Sequence, residues 1–187
     1  MRTELWLLIG IVPLLHAQLS VPIGPRITAT DASTFGNGVV STHTTSDLIN
    51  RLWYTAVRRT LNIAEHISMP QLSLETLEHL RSTQWSTIVS SPWHFNSAHI
   101  NELELRSVLT SARWLSSIPT CNNTRILCLV DSAVTFYCLR KGRSSSPPLL
   151  TVLRKIAATL LASGITLLPV WIPSEYNPAD APSRQIA

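Results

Sequence analysis

Charged residues make up only 14% of this 187-residue chain, against 45% apolar residues. That balance excludes a disordered, charge-solvated polypeptide and supplies enough apolar material for a sizeable core in one domain. Lysine is scarce: Lys141 and Lys155 are the only two, so the positive side of the +4 net charge is nearly all arginine. Guanidinium forks match phosphate oxygens, and the charge mildly favours a nucleic-acid partner without deciding for one. Cysteine is scarce too. Cys121, Cys128 and Cys138 are odd in number and lack C-x-x-C spacing, which argues against a disulfide framework and a zinc site and fits a reducing compartment. Cys128 lies in the apolar run 126–130 and reads as a small buried thiol. None of the six histidines forms a metal-ligand pair, and there is no internal repeat or low-complexity tract.

Long apolar runs are also missing. The stretch Leu5 to Leu15 follows Arg2 and ends in His16-Ala17, which has the length of a signal-peptide core rather than of a membrane span. Glu4, the prolines at 13, 22 and 25, and the lack of a cysteine framework downstream argue against secretion. An intracellular protein, cytoplasmic or nuclear and without a membrane partner, is the expectation.

What is present is a succession of strand and helix signals. Ile27 to Asp31 reads as a strand, with Gly36-Asn37 supplying a hairpin turn and Gly38 to Thr42 returning. Helical spacing runs from Asp47 to about Glu65 with Ser46 as cap, and a second helix covers Ser73 to Arg81, capped by Ser73. Strand-like residues follow at Thr83 to Val89, and the whole stretch 44–90 reads as an insertion after the hairpin. A long helix opens near His99 and buries positions 105, 108, 109, 112 and 115. Ile126 to Val130 is a central strand ending at Asp131, and Ser132 to Leu139 a short helix. A basic loop spans Arg140 to Ser146, a proline-initiated helix runs from Pro147 to Ala162, and a last strand covers Ile165 to Ile172. Asn177 caps a final helix with Pro178 in its first turn. The architecture is mixed α/β.

Four acids fall where such a sheet gathers residues at one rim: Asp31 and Asp131 at strand ends, Asp180 at the head of the last helix, and Glu104 on the long helix. Taken singly, each has an ordinary reading as a turn, cap or solvated helix residue. Taken together, converging carboxylates are costly unless a cation neutralises them, and hard oxygen donors suit Mg²⁺ or Mn²⁺. Glu102 is the reserve for Glu104: the two lie about 200° apart on a helix, and periodicity does not settle which faces the site.

These residues sit within a recognisable series. Thr30-Asp31-Ala32-Ser33 with Gly36 and Gly38, His99-Ile100-Asn101 with Leu103-Glu104-Leu105, Val130-Asp131-Ser132, and Asn177-Pro178-Ala179-Asp180-Ala181-Pro182-Ser183-Arg184 follow one another in order. The series resembles the ribonuclease H domains of reverse-transcribing elements, those of DIRS-like retrotransposon polyproteins above all. The resemblance covers about residue 20 to the end, apart from the insertion. It implies a ribonuclease H-like mixed sheet of about five strands flanked by helices. Residues 23–187 would form that domain, and residues 1–22 a lead-in helix or linker from a polymerase.

The resemblance further implies that Asp31, Glu104, Asp131 and Asp180 are the catalytic metal ligands for two Mg²⁺ or Mn²⁺ ions. The implied reaction is two-metal hydrolysis of the RNA strand of an RNA/DNA hybrid, leaving 5′-phosphate and 3′-hydroxyl ends. Preference for RNA would rest on contacts to 2′-hydroxyls. The implied partners are the hybrid itself and a reverse transcriptase domain. Arg140, Lys141 and Arg143 are candidate phosphate contacts, equally readable as a solvated basic loop. Asn101 and Ser132 are candidate hydrogen-bonding groups for the substrate backbone or, alternatively, helix caps. The segment Trp171 to Tyr176 lacks the histidine that many cellular ribonucleases H carry before the last aspartate, which removes one candidate proton shuttle. His99 reads as a cap of the glutamate helix. Trp53, Trp85, Trp93, Trp114 and Trp171 read as core or interface. The competing function is a catalytically inactive retroelement remnant that only binds nucleic acid.

Overall fold

Two strands buried on both faces organise the molecule. In β1 (Ile23–Ala32) the consecutive side chains of Ile27, Thr28, Ala29 and Thr30 are all buried, and in β4 (Arg125–Val130) so are those from Ile126 to Val130. A strand without an alternating wet face belongs in the middle of a sheet covered on both sides. The computed structural model describes residues 5, 6, 9, 21–43, 46–58, 72–94 and 98–185. The lead-in expected over 1–22 lies largely outside them, as does the expected continuation of the following helix over 59–65.

The five strands run in the order β3-β2-β1-β4-β5. β2 (Gly36–His43) pairs antiparallel with both β1 and β3 (Ser86–Pro92), whereas β4 pairs parallel with β1 and with β5 (Thr166–Trp171). Pro169 interrupts the donor row of β5, which an edge strand tolerates. The hairpin turn lies at Ser33-Thr34-Phe35 and not at the expected Gly36-Asn37, which are already in β2. The reason is local: Ser33 Oγ accepts from the backbone N–H groups of Phe35 (3.1 Å) and Gly36 (3.0 Å), so the serine closes the turn.

α1 (Ser46–Arg58) and α2 (Leu74–Ser82) cover one face of the sheet through Leu48, Leu52, Leu77 and Leu80, which pack on Ile27, Ala29, Leu127 and Leu129. Ser73 caps α2 by accepting from Thr76 N–H at 3.3 Å. β3 is the outer strand of the main sheet, so the strand-like residues expected inside the inserted stretch belong to the sheet; their pairing partner β2 is remote enough in sequence to escape periodicity.

α3 (Ile100–Ser116), α4 (Ala133–Lys141) and α5 (Pro147–Ser163) cover the other face, where Leu105, Val108, Phe136, Val152 and Ile156 meet Cys128 and Val130. α5 ends at Gly164, whose φ of 66° is left-handed and whose N–H returns to Leu160 and Leu161 carbonyls. The three cysteines are free and buried, and burial holds the Cys128 thiol up at about 11, an inert group. Among the described residues no helix is long and apolar enough to cross a membrane.

α6 (Asp180–Arg184) is the last of the described elements. It starts later than the sequence suggests: Ala179, not Asn177, precedes its first residue. Asn177 instead folds a turn, its Oδ1 accepting from Ala179 N–H at 3.0 Å, while its Nδ2 donates to the Thr30 carbonyl at 3.1 Å. The asparagine thereby ties the last segment to β1.

Candidate functional site

The parallel register of β1 with β4 matches Ile27 to Leu127, Thr28 to Cys128 and Ala29 to Leu129. Continuing it by two residues, past the last apolar pair, brings Asp31 beside Asp131. Side chains alternate along a strand, so both acids follow the apolar series 27, 29 and 127, 129 out to the rim of the sheet.

Glu104 comes from the first turns of α3. His99 caps that helix as expected, its Nδ1 accepting from Asn101 N–H at 3.2 Å. Ser107 Oγ donates to the Asp31 carbonyl at 2.9 Å, pinning the helix to the end of β1. Asp31, Glu104 and Asp131 each present an oxygen, and these oxygens lie within 4.8 Å of one another. Glu102 is not in that group and pairs with Arg106 Nη2 at 2.7 Å.

The cluster is electrostatically costly. Burial, reinforced by the Asp31 and Asp131 charges, pushes the Glu104 carboxyl up to about 9, against a weaker opposing hydrogen bond from the Ala32 N–H. Burial also raises Asp31, with Asp131 and Asp180 adding to it and the Ser183 hydroxyl and Arg184 working against it. Glu104 Oε2 is buried without a hydrogen-bond partner. An orphaned carboxylate oxygen beside two further hard oxygen donors fits a divalent cation such as Mg²⁺ or Mn²⁺.

Asp180 stands outside the 4.8 Å group. Its Oδ1 instead accepts from Arg184 Nε (2.8 Å) and Nη2 (2.7 Å), one turn along α6. Its charge still reaches Asp31. The structure therefore gathers three of the four expected acids directly, with the fourth nearby and paired.

The candidate substrate contacts divide. Ser132 caps α4, its Oγ accepting from Thr135 N–H at 3.3 Å, and Asn101 lies half-buried in the first turn of α3. Arg140 and Lys141 occupy the last turn of α4 rather than a loop, with Arg140 over the Phe136 ring at 5.9 Å and Lys141 over Tyr137 at 5.5 Å. Lys141 and Arg143 line a groove of about 820 Å³ with Tyr137, Ser144 and Ser145, and Ala133, two residues after Asp131, also lines it.

Other supporting groups carry no signal at the level of sequence. Trp171 Nε1 donates to the Asp131 carbonyl at 2.9 Å and Trp93 Nε1 to the Ser33 carbonyl at 2.9 Å, so these two tryptophans brace the site's backbone. Ser183 is buried completely and its Oγ donates to Asp31 Oδ2. Within the motif it reads only as one more polar residue, because its partner lies at the far end of the chain.

No family model matches this sequence, and no curated protein does. Among solved structures, a ribonuclease H1 isolated from compost by a metagenomic approach, LC11-RNase H1, superposes with a TM-score of 0.52 at 16% identity, covering 86% of this chain and 93% of that one. The fold is ribonuclease H-like. That fold places its five-stranded mixed sheet between helices on both faces, and the carboxylate cluster lies at the rim where β1, β4 and α3 converge in this ribonuclease H-like domain.

Proposed function

We propose that this protein is a metal-dependent endonuclease that hydrolyses the RNA strand of RNA/DNA hybrids. The observation that carries the reading is the convergence of Asp31, Glu104 and Asp131 within 4.8 Å on a ribonuclease H-like fold. These three carboxylates would hold the cations, with Asp180 joining from α6. Bound divalent ions would activate a water for in-line attack and stabilise the leaving 3′-oxygen.

The remaining steps belong to the chain. Lys141 and Arg143 bind phosphates along the groove, with Arg140 adding a further contact from the last turn of α4, and their side chains fix register rather than sequence. Asn101 hydrogen-bonds the substrate backbone from the start of α3. Ser132 holds the start of α4 against the site through its cap. Trp171 keeps the Asp131 backbone in place, and the burial of Glu104 keeps bulk water from its carboxyl. The order of the motifs around Asp31, Glu104, Asp131 and Asp180 supports an origin in a reverse-transcribing element. In that setting residues 1–22 connect to a reverse transcriptase domain, residues 23–187 form the nuclease, and the protein works inside the cell.

The test is cleavage of a strand-labelled RNA/DNA hybrid with Mg²⁺ or Mn²⁺, comparing the protein with Asp131→Asn and with an EDTA control. Metal-dependent cutting of the RNA strand alone, lost in the variant, is expected. A folded protein that binds hybrid and cuts nothing would instead be an inactive, nucleic-acid-tethering relative.

A further inference from the structure

We infer that Ser183 is a positioning residue of the carboxylate centre: its hydroxyl sets the orientation of Asp31 and thereby the fit of the site to a divalent ion. The inference rests on the metal reading of the cluster given above.

An aspartate carboxyl has little torsional preference of its own about its last bond, so a neighbouring group must fix its rotation. Here the neighbour is Ser183, fully buried, with its Oγ donating to Asp31 Oδ2. The same Oγ lies 2.9 Å from the Asp180 carbonyl, which competes for the single hydroxyl proton. Ser183 itself is held from a third direction, since Ser33 Oγ donates to its carbonyl at 2.6 Å. The serine is therefore fixed by the turn that follows Asp31 and in turn fixes the Asp31 side chain.

This arrangement depends on a close approach. Gly38 is the register partner of Asp31, and a Cβ there would lie 2.4 Å from the Ala179 carbonyl and 2.8 Å from the Ser183 nitrogen. Only a residue without a side chain lets α6 settle on the hairpin with Ser183 against Asp31. A serine used only for packing would need no proton donor; this one gives its proton to an acid of the cluster. Hydrogen-bonding partners of ligating carboxylates commonly govern metal affinity by about 10–100-fold.

The experiment measures Mn²⁺ binding by calorimetry, metal-free melting temperature, and steady-state hybrid cleavage for the full chain, Ser183→Ala and Ser183→Cys. The cysteine, somewhat larger than serine, fills the site with a much weaker donor and supplies the comparison should the alanine variant fail to fold. The expected result is roughly 10–100-fold weaker Mn²⁺ binding and a lower kcat, with KM for the hybrid little changed and the metal-free melting temperature lowered moderately, because Asp31 Oδ2 loses its buried donor. Wild-type Mn²⁺ affinity and kcat in a folded variant would overturn the positioning role while leaving the metal site intact. Absence of Mn²⁺ binding by the unaltered protein would overturn the metal reading and this inference with it. Mn²⁺ binding that weakens in the variants, without cleavage by any of them, would overturn the nuclease reading alone and support the role of Ser183.

Discussion

Asp31 and Asp131 become neighbours through a strand register: β1 and β4 run parallel with Ala29 opposite Leu129, and each aspartate lies two residues further on. Glu104 is then laid across the pair by α3, which Ser107 fastens to the Asp31 carbonyl. Three acids are held together by backbone pairing and packing whose strength does not come from the acids.

The pH dependence of stability follows from Glu104. Its folded-state carboxyl sits at about 9, above an ordinary value of 4.5, so between those values the folded state keeps a proton that the unfolded chain releases. Stability of the metal-free protein is therefore fully present below about 4.5 as far as this group is concerned, and falls as pH rises toward 9. Thermal melts in EDTA from pH 5 to 9 should show that decline. Saturating Mn²⁺ should flatten it, because a bound cation favours the ionised form, and calorimetry in buffers of different ionisation enthalpy should register proton release on binding.

Glu104→Gln should melt higher than the unaltered protein at pH 8 without metal, since it removes the requirement to keep a buried carboxyl protonated. The two should converge near pH 4. The variant should nevertheless lose hybrid cleavage. Glu102→Gln, which disturbs the partly buried pair with Arg106 but keeps a hydrogen-bonding side chain of the same size, should retain cleavage and change stability by about 1 kcal/mol.

Gly38→Ala should destabilise the protein by about 1–3 kcal/mol, the usual range for overpacking, because its Cβ collides with the backbone of Ala179 and Ser183. Denaturant melts measure the loss. Since the displaced segment carries Ser183 and Asp180, Mn²⁺ affinity should fall as well, whereas Gly142→Ala, whose added Cβ meets nothing, should leave metal binding unchanged.

Neutralising Arg140, Lys141 and Arg143 to glutamine should weaken hybrid binding without altering cleavage at saturating hybrid. Each phosphate contact removed lowers the slope of log K against log salt by roughly 0.9 on a duplex. Binding isotherms at several salt concentrations give that slope, and an unchanged slope would place the hybrid away from the groove beside α4.

The sequence by itself marked most of the elements and nominated the candidate acids. Apolar runs at 126–130 and alternation around 27–31 mark strands, Ser73, His99 and Ser132 mark helix starts, and the motif series singles out Asp31, Glu104, Asp131 and Asp180. These are short-range signals, carried by residues within a turn or two of one another. Whatever rests on contacts between distant segments was decided by the tertiary structure. That includes the meeting of Glu104 with Asp31 and Asp131, the membership of Ser86–Pro92 in the main sheet, and the position of Asp180 outside the group of three acids. It also includes the reach of Ser183 to Asp31, across most of the chain. The physical reason is common to all four: a side chain's partner is set by packing and register between segments far apart in sequence, and neither propensity nor periodicity within one segment contains that information.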